Sequence, residues 1–283
     1  MHNTEEYVET CIRGLLSQTY PRDQFEIILV DNNSTDRSVE IARGFPGVQV
    51  LSETRRGSYA ARNRGLAAAN GDLIVFLDAD CAPTPDWLER ITDAMDATGA
   101  LVVQGRRDFV GRSFGLSVLN TYESEKADLV YGMDDPTVYY AAMGNIAVRR
   151  SVLDRIGPLS EVARGGDVMF IHRVIEQYGC GAVHYAPEVC VRELDVQDTA
   201  TWFKKLFTYG RSCSAYRKIA AVRPLGAADR MRVLQRTMSK TSSVWPLAAM
   251  SLPVLFVAGA CYDLGRCFPL EDHPAPRSGE AGD

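Results

Sequence analysis

The sequence predicts an α/β fold in which a largely parallel sheet is sandwiched between helices. Short apolar runs alternate with helix-like segments four times over the first hundred residues, which is typical of βα units. Two of the runs, QFEIILVD and LIVFLD, are almost wholly apolar, as strands buried on both faces are. The 283 residues are 46% hydrophobic and 24% charged, a globular composition with enough chain for one large domain.

The helices are predicted from apolar spacing and from residues that cap helix ends. In the first helix, Tyr7, Cys11 and Leu15 recur every four residues. The second helix follows DNNSTD, which offers serine, threonine and aspartate as N-terminal caps, and the third ends at an Asn-Gly pair. The predicted helices span 4–18, 38–44, 58–69 and 86–97.

The strands are predicted from short apolar runs that close on turn residues, and they span 24–31, 47–52, 73–78 and 100–104. Two of them end in acids, Asp31 and Asp78. Ligands of such sheets lie beyond the carboxyl ends of the strands, so we expect both carboxylates at one rim. The less regular section 106–200 is expected to supply the second half of the binding cleft.

Asp78 and Asp80 directly follow the LIVFL run and form a DxD pattern. Two carboxylates at the end of a rigid strand suit Mg²⁺ or Mn²⁺, which take oxygen ligands and keep waters and substrate phosphates in their shells. The alternative is a polar strand end whose acid caps the next helix. The pattern alone leaves both interpretations open.

Composition excludes several classes of protein. The 31 Lys and Arg residues against 36 Asp and Glu give a net charge of −5, so we expect no nucleic-acid partner. The seven cysteines form no CxxC pair, which argues against a zinc ribbon and a disulfide framework and favours a reducing, cytosolic environment.

Five motifs occur in an order and at a spacing that closely resemble the glycosyltransferase family 2 enzymes. They are DNNSTD at 31–36, ARNRG at 61–65, FLDADCAPTPDWL at 76–88, GNIAVRRSVLDRIG at 144–157 and GGDVMF at 165–170. The resemblance covers residues 2 to about 215. It implies the GT-A fold, a nucleotide-sugar donor and a hydroxyl acceptor.

The resemblance also implies roles for individual residues. Asp31 matches the acid that reads the nucleotide base, and Arg62 lies in the element that lines the nucleotide pocket. Asp78 and Asp80 match the DxD that holds the ribose and a Mn²⁺ or Mg²⁺ ion bridging the diphosphate. Asp167 stands where the family has its general base. Helix capping for Asp31 and a structural ion pair for Asp167 are the alternatives.

These roles are chemically consistent with one another. A divalent cation can neutralise the charge that develops on a leaving diphosphate. An acceptor hydroxyl loses its proton as it attacks, which requires a carboxylate within hydrogen-bond reach. One base without a protein nucleophile implies a single displacement, and hence inversion at the anomeric carbon.

The sequence departs from the family at the metal and at the C-terminal motif. Where members often have a metal-contacting histidine, PEVCVREL places Arg192, and we assign neither His172 nor His184 to that role. The QxxRW motif of processive synthases is absent, so transfer of a single sugar is expected. Arg211 is expected either near the diphosphate or on a basic, membrane-facing surface.

A further departure concerns the first strand. Family members have an apolar strand and a short turn before the helix that begins near Thr4 here, and this strand is central in their sheet. We therefore expect a gap in the sheet, reduced stability and a nucleotide pocket that lacks one wall.

The C-terminal third predicts an association with membranes. Between Trp202 and Lys240 ten Lys and Arg residues accompany one acid, Asp229. Residues 244–262 then contain no charge and are about as long as a bilayer-crossing segment, the alternative being a buried core helix. We predict a glycosyltransferase domain over 1–215 (halves 1–105 and 106–215), a basic juxtamembrane helix over 216–243, a transmembrane or membrane-associated segment over 244–262 and a disordered tail over 263–283.

The leading hypothesis is an inverting, metal-dependent glycosyltransferase at the cytoplasmic face of the cell membrane, either peripheral or single-pass, with a cytoplasmic location as the alternative. It would move one sugar from a nucleotide-diphosphate donor to a lipid-linked or cell-envelope acceptor, and the basic segment would contact anionic lipid. One alternative is a non-catalytic GT-A scaffold that lost activity with its first strand. Another is a nucleotidyltransferase, although the glycine-rich, lysine-containing phosphate loop of that class is not seen.

Overall fold

The first hundred residues alternate between strands and helices in the predicted order. The computed structural model describes residues 1–217, 222–241 and 245–268. Every predicted element up to residue 104 is confirmed, with shifted ends. The elements are α1 (Val8–Leu16), β1 (Ile27–Asp31), α2 (Ser38–Arg43), β2 (Val48–Ser52), α3 (Ser58–Ala68), β3 (Leu73–Leu77), β4 (Cys81–Pro83), α4 (Trp87–Thr98) and β5 (Val102–Phe109).

The section after β5 is more regular than predicted. Its elements are α5 (Phe114–Tyr131), β6 (Asn145–Arg149), α6 (Arg150–Ile156), α7 (Gly166–Tyr178), β7 (Val183–Glu193), α8 (Thr199–Arg217), α9 (Ala227–Thr241) and α10 (Trp245–Cys267). Short 3-10 turns also occur along the chain, at Arg22–Gln24, Pro136–Val138 and Cys180–Ala182.

The strands form two sheets. In the smaller sheet β1 and β2 are parallel. The larger has the order β3-β6-β5-β7-β4, in which β5 and β7 are parallel and β6 is antiparallel to both of its neighbours. The short strand β4 is antiparallel to β7. The α/β class is therefore confirmed, whereas the antiparallel strands β4 and β6 were not predicted.

Helices cover both faces of the larger sheet. Alternate residues of β5 face opposite sides: Val102 belongs to the core with Phe170 and Ile171 of α7, and Val103 to the core with Trp87 and Ile91 of α4. Both strand residues are fully buried. This alternation is the period of two that a strand imposes, and it gives a three-layer arrangement with the sheet in the middle.

A cavity of about 1290 Å³ separates the two sheets, and it is lined by β1 on one side and β3 on the other. At its mouth the Met1 amino group donates to Val30 O at 2.7 Å, and Asn32 N donates to Met1 O at 2.9 Å. These two bonds are those of a residue paired in parallel with Asp31. At the opposite end of the cavity, the side chain of Glu26 accepts a hydrogen bond from Asn70 N. Glu26 precedes β1 and Asn70 precedes β3, so the two strands run in the same direction.

The C-terminal helices differ from the prediction in three respects. The basic stretch 216–243 is divided between the end of α8 and α9, with residues 222–226 non-helical and 218–221 outside the described residues. Helix α10 continues to Cys267, so 263–267 do not belong to a disordered tail, and 269–283 lie outside the described residues. Within the described ranges no helix has the length and hydrophobicity needed to cross a membrane.

The cavity between β1 and β3 predicts the effect of an added strand. Joining six residues rich in Val and Ile to the amino group of Met1 is expected to raise the melting temperature by roughly 5 °C or more. The reason is that paired backbone groups and buried apolar area contribute several kcal/mol, and 1 kcal/mol shifts Tm by about 2–4 °C in a domain of this size. Backbone amide hydrogen exchange in β1 and β3 should also become slower in the extended chain.

The control is a Gly/Ser extension of equal length, which has neither the apolar surface nor the strand propensity to fill the cavity. If the two extended chains melt at the same temperature and exchange equally fast, the cavity does not accept a strand.

Candidate active site

The carboxyl ends of β1 and β3 meet at one rim, as predicted. Asp31 ends β1, and one of its carboxylate oxygens accepts from Ser34 N at 3.2 Å. Burial lowers the pKa of the Met1 amino group at this rim, and the nearby carboxylates of Asp78 and Asp31 oppose that shift. Two of the predicted site residues are therefore brought together by the strand ends.

Asn32 joins the end of β1 to the loop after β2. Its amide donates to Glu53 O at 2.9 Å and to Arg55 O at 2.7 Å, and its side-chain oxygen accepts from Gly57 N at 2.9 Å. The side chain is buried, so these bonds satisfy groups that water does not reach. The loop therefore has a fixed position over the rim.

Arg62 and Asp78 form an ion pair across the rim, with Arg62 Nη2 at 2.5 Å from Asp78 Oδ1. Burial pushes the pKa of Asp78 upward, but the charges of Arg62 and Arg107 outweigh it and leave the pKa below the ordinary value. Gly144 makes room for this carboxylate, because a Cβ there would lie 2.5 Å from Asp78 Oδ2. Asp78 is therefore held ionised.

Asp80 lies beside further carboxylates that the sequence did not assign to the site. Burial, followed by the charges of Asp78, Asp195 and Glu193, raises the pKa of Asp80 to about 6. Lys205 of α8 partly offsets this crowding, with its Nζ at 2.5 Å from Glu193 Oε1 and 2.9 Å from Asp195 Oδ1. The end of β7 thus brings negative charge to the DxD.

Asp167 is connected to the same rim through Tyr59 on α3. The Tyr59 hydroxyl donates to Asp167 Oδ1 at 3.1 Å and accepts from Asp167 N at 3.2 Å. Burial raises the pKa of Asp167, while hydrogen bonds from Val168 N–H and from Tyr59 oppose the shift. Gly166 allows this contact, since a Cβ would lie 2.9 Å from the Tyr59 ring.

The carboxylates fit a divalent cation in part. Asp78 and Asp80 supply hard oxygen ligands, and the crowding at Asp80 is the kind that a cation relieves. Among the described residues, no group of three His, Cys, Asp or Glu side chains is arranged to hold a metal ion by itself. A cation held by this pair would therefore need oxygens of a ligand or water to complete its shell, which Mg²⁺ commonly uses.

Two of the remaining predicted candidates, His172 and Arg211, have structural partners. His172 Nε2 contacts Tyr139 O at 3.3 Å, and Arg192 is an exposed residue of β7. Arg211 Nε donates to Phe268 O at 3.0 Å, which places it at the end of α10. The partners that sequence reasoning missed are Tyr59, Arg107, Glu193, Asp195 and Lys205.

A comparison with protein families decides between the candidate classes. Residues 1–157 match the model of glycosyl transferase family 2, which is more than half of the 283-residue chain. The chain belongs to glycosyl transferase family 2.

Individual relatives are similar to this family member over part of their length. Glycosyltransferase AglE of Haloferax volcanii is 32% identical over 182 residues, which cover 62% of this chain and 59% of that protein. The putative glycosyltransferase EpsH of Bacillus subtilis is 32% identical over 132 residues, covering 44% of this chain and 38% of that protein. The chain thus spans less than two thirds of either relative.

Solved structures confirm the GT-A fold of this family member. The mannosyltransferase PcManGT of Pyrobaculum calidifontis, solved with GDP-Man and Mn²⁺, is 20% identical with a TM-score of 0.55, covering 95% of this chain and 80% of that one. S. aureus TarS 1-349, solved with UDP-GlcNAc, is 16% identical with a TM-score of 0.54, covering 95% and 82%. At these identities the likeness concerns the fold alone.

The contact between Tyr59 and Asp167 predicts a shift in titration. Tyr59→Phe removes a hydrogen bond that favours the ionised carboxylate, so the pKa of Asp167 should rise further. The measurement is an NMR titration of the side-chain carboxyl groups. Tyr178→Phe, at an exposed tyrosine of the same helix as Asp167, is the matched control. An unchanged Asp167 titration in Tyr59→Phe would contradict the assigned hydrogen bond.

Proposed function

We propose that this chain is the transferase domain of an inverting, metal-dependent glycosyltransferase. It moves a single sugar from a nucleotide-diphosphate donor to a hydroxyl acceptor. The observation that supports this most directly is that one helix, α3, contacts both functional halves. Arg62 pairs with Asp78 at the DxD, and Tyr59, one turn earlier, bonds Asp167. A donor site and a base are thus positioned by the same rigid element.

The donor would occupy the rim between the ends of β1 and β3. Asp31 would meet the nucleotide base, Arg62 and Asp78 the ribose and diphosphate, and Asp80 with Asp78 a Mn²⁺ or Mg²⁺ ion. When bound, that ion supplies positive charge to the leaving diphosphate. The mannosyltransferase with GDP-Man and Mn²⁺ and TarS with UDP-GlcNAc support a nucleotide-sugar donor. Arg62 adds fixed positive charge where the leaving group gains negative charge.

Asp167 would act as the base that takes the acceptor proton. Its raised pKa suits this task, because a base whose pKa lies closer to the working pH transfers protons with a larger driving force. The Tyr59 hydroxyl and the Val168 amide hold the carboxylate in one orientation. With Asp167 as the base and no protein nucleophile in the proposed mechanism, the attack is a single displacement that inverts the anomeric carbon.

The same proposal includes a cytoplasmic, membrane-surface location and a lipid-linked or envelope acceptor. It rests on the charge pattern between Trp202 and Lys240 and on the uncharged stretch that follows.

Asp80→Asn tests the role of the DxD. The variant should lose Mn²⁺-dependent release of nucleoside diphosphate from a panel of nucleotide sugars. Its melting temperature should be unchanged or higher, because one charge is removed from a crowded carboxylate cluster. Asp93→Asn, an exposed position on α4, serves as the control and should keep full turnover. Full turnover by Asp80→Asn would remove Asp80 from the site.

Asp167→Asn tests the base. Donor affinity should be retained, while transfer falls by about 10²–10⁴-fold, as expected when a general base is lost. In the unsubstituted chain, transfer should decline with falling pH at a value above the ordinary aspartate pKa of about 3.9, because the base must be ionised and its pKa is raised. A collapse of donor affinity would instead make Asp167 a binding residue.

A further inference from the structure

A short loop between α6 and α7 leads directly to Asp167. We call residues 159–165 the Asp167 loop, and Asp167 follows it in the first turn of α7. The two ends of the loop lie together, because a Cβ at Gly166 would lie 2.8 Å from Ser160 O. Gly165 has a φ of +85°, a left-handed conformation that favours glycine, where the chain turns into the helix. The position of the carboxylate therefore depends on how this loop is held.

Asn63 of α3 holds the beginning of the Asp167 loop by two hydrogen bonds. Its side-chain nitrogen donates to Leu159 O at 2.9 Å, and its side-chain oxygen accepts from Leu159 N at 2.9 Å. One side chain thus pairs both polar groups of one backbone residue. The side chain of Leu159 is buried in the same core as Phe170 of α7. Leu159 is therefore fixed on two sides, by the core and by Asn63.

The other end of the loop is held by the same helix. Tyr59 lies four residues before Asn63 on α3, a spacing that places both side chains on one side of the helix. Tyr59 bonds the carboxylate and the backbone N–H of Asp167, while Asn63 bonds Leu159. Helix α3 therefore sets the distance between the beginning of the loop and the carboxylate at its end.

Glu161, within the loop, adds a weaker attachment. It accepts from Asn63 Nδ2 at 3.0 Å, and Arg55 Nη1 donates to its two carboxylate oxygens at 3.0 and 2.8 Å. Arg55 belongs to the loop after β2 that Asn32 holds over the rim. The Arg55 side chain is 60% exposed, so solvent screens this ion pair and its contribution is small. The bonds between Asn63 and Leu159 are the main polar attachment of the loop.

We infer that Asn63 is a positioning residue for Asp167, which keeps the Asp167 loop against α3 and so holds the carboxylate where Tyr59 meets it. Asn63 needs no contact with donor or acceptor for this role. A misplacement of about 1 Å can cost about 10²-fold in rate, so an attachment of the loop can control transfer. The alternative is a contact that adds stability without affecting the carboxylate. The effect on transfer rests on the proposed function, whereas the effect on the geometry of Asp167 does not.

An NMR titration of the side-chain carboxyl groups in the full chain tests the geometry. In Asn63→Ala the loop is released and water reaches the carboxylate. The pKa of Asp167 should then fall towards the ordinary value of about 3.9, because burial is the main cause that raises it. The charged and titratable groups that face Asp167 are unchanged in this variant: Tyr59 and Arg62 on α3 and Tyr131 on α5.

Gln177→Ala is the matched control for this titration. It removes an exposed amide side chain from α7, the helix that carries Asp167, and should leave the titration as it is in the unsubstituted chain. The inference is wrong if Asp167 titrates alike in Asn63→Ala and in the unsubstituted chain.

Kinetic measurements separate positioning from stability. Asn63→Ala should lower transfer about tenfold or more, while the Kd for UDP or GDP, measured without acceptor, stays the same. In the Asp167→Asn background the same substitution should cause no further loss, because the group that it positions is already absent. Asn63→Asp keeps the side-chain volume and replaces the donor to Leu159 O by a charge beside Glu161. It should give the same kinetic result, and it replaces the alanine variant if that variant does not fold.

Two kinetic outcomes would overturn the inference. One is a further loss of transfer in the Asp167→Asn background as large as the loss in the unsubstituted chain. The other is a fall in nucleotide affinity as large as the fall in transfer, which would place Asn63 at the donor. If the unsubstituted chain transfers no sugar, the proposed function fails, and the titration of Asp167 still decides whether Asn63 positions it.

Discussion

Asn145 makes the hydrogen bonds on which the centre of the larger sheet depends. Its fully buried side chain donates to Arg106 O at 2.8 Å and to Val189 O at 2.9 Å, and it accepts from Trp87 Nε1 at 2.9 Å. Leaving such groups unpaired would cost about 1–3 kcal/mol each. The bonds join β5, β6 and β7 where the pairing of β5 with β7 shifts register, between Gly105 and Arg106. Gly105 has no side chain, which leaves room for the Asn145 amide. These hydrogen bonds therefore hold together the central strands of the sheet that positions the DxD.

The junction of β5, β6 and β7 around Asn145 also affects the ionisation of the nearby aspartates. Gly144, next to Asn145, admits the carboxylate of Asp78, which Arg62 then holds ionised. The pKa of Asp80 rises instead, because burial and the neighbouring carboxylates disfavour its charge and Lys205 offsets them only in part. Two aspartates one residue apart therefore differ in protonation behaviour through their surroundings alone. A site with this surplus of negative charge gains from a cation that joins the pair.

The sequence predicted the elements whose signals are local and missed those that depend on distant partners. Strand β3 and its closing aspartate were predicted because an apolar run followed by acids is readable from neighbouring residues. Tyr59 lies three residues before Arg62 on one helix, so its position beside the site could have been inferred from helical spacing. Lys205 could not, since it reaches Glu193 only after α8 has packed beside β7. The transmembrane or membrane-associated segment predicted over 244–262 was inferred from its length and lack of charge, which cannot distinguish a spanning helix from one packed along a side of the protein.

Helix α8 connects the candidate site to the C-terminal surface by two different kinds of contact. Near its middle, Lys205 compensates buried acids, where burial opposes its charge and those acids raise its pKa. Two and five residues later, the backbones of Phe207 and Gly210 approach α10 so closely that a Cβ at Gly210 or at Gly265 would lie 2.1 Å from a carbonyl oxygen of the other helix. The ion pairs of Lys205 hold α8 against the end of β7, and close backbone packing holds it against α10. Neither β7 nor α10 can therefore shift along α8 without losing these contacts. The separation between the DxD rim and the outer face of α10 is therefore a property of one rigid helix, independent of the loops that surround it.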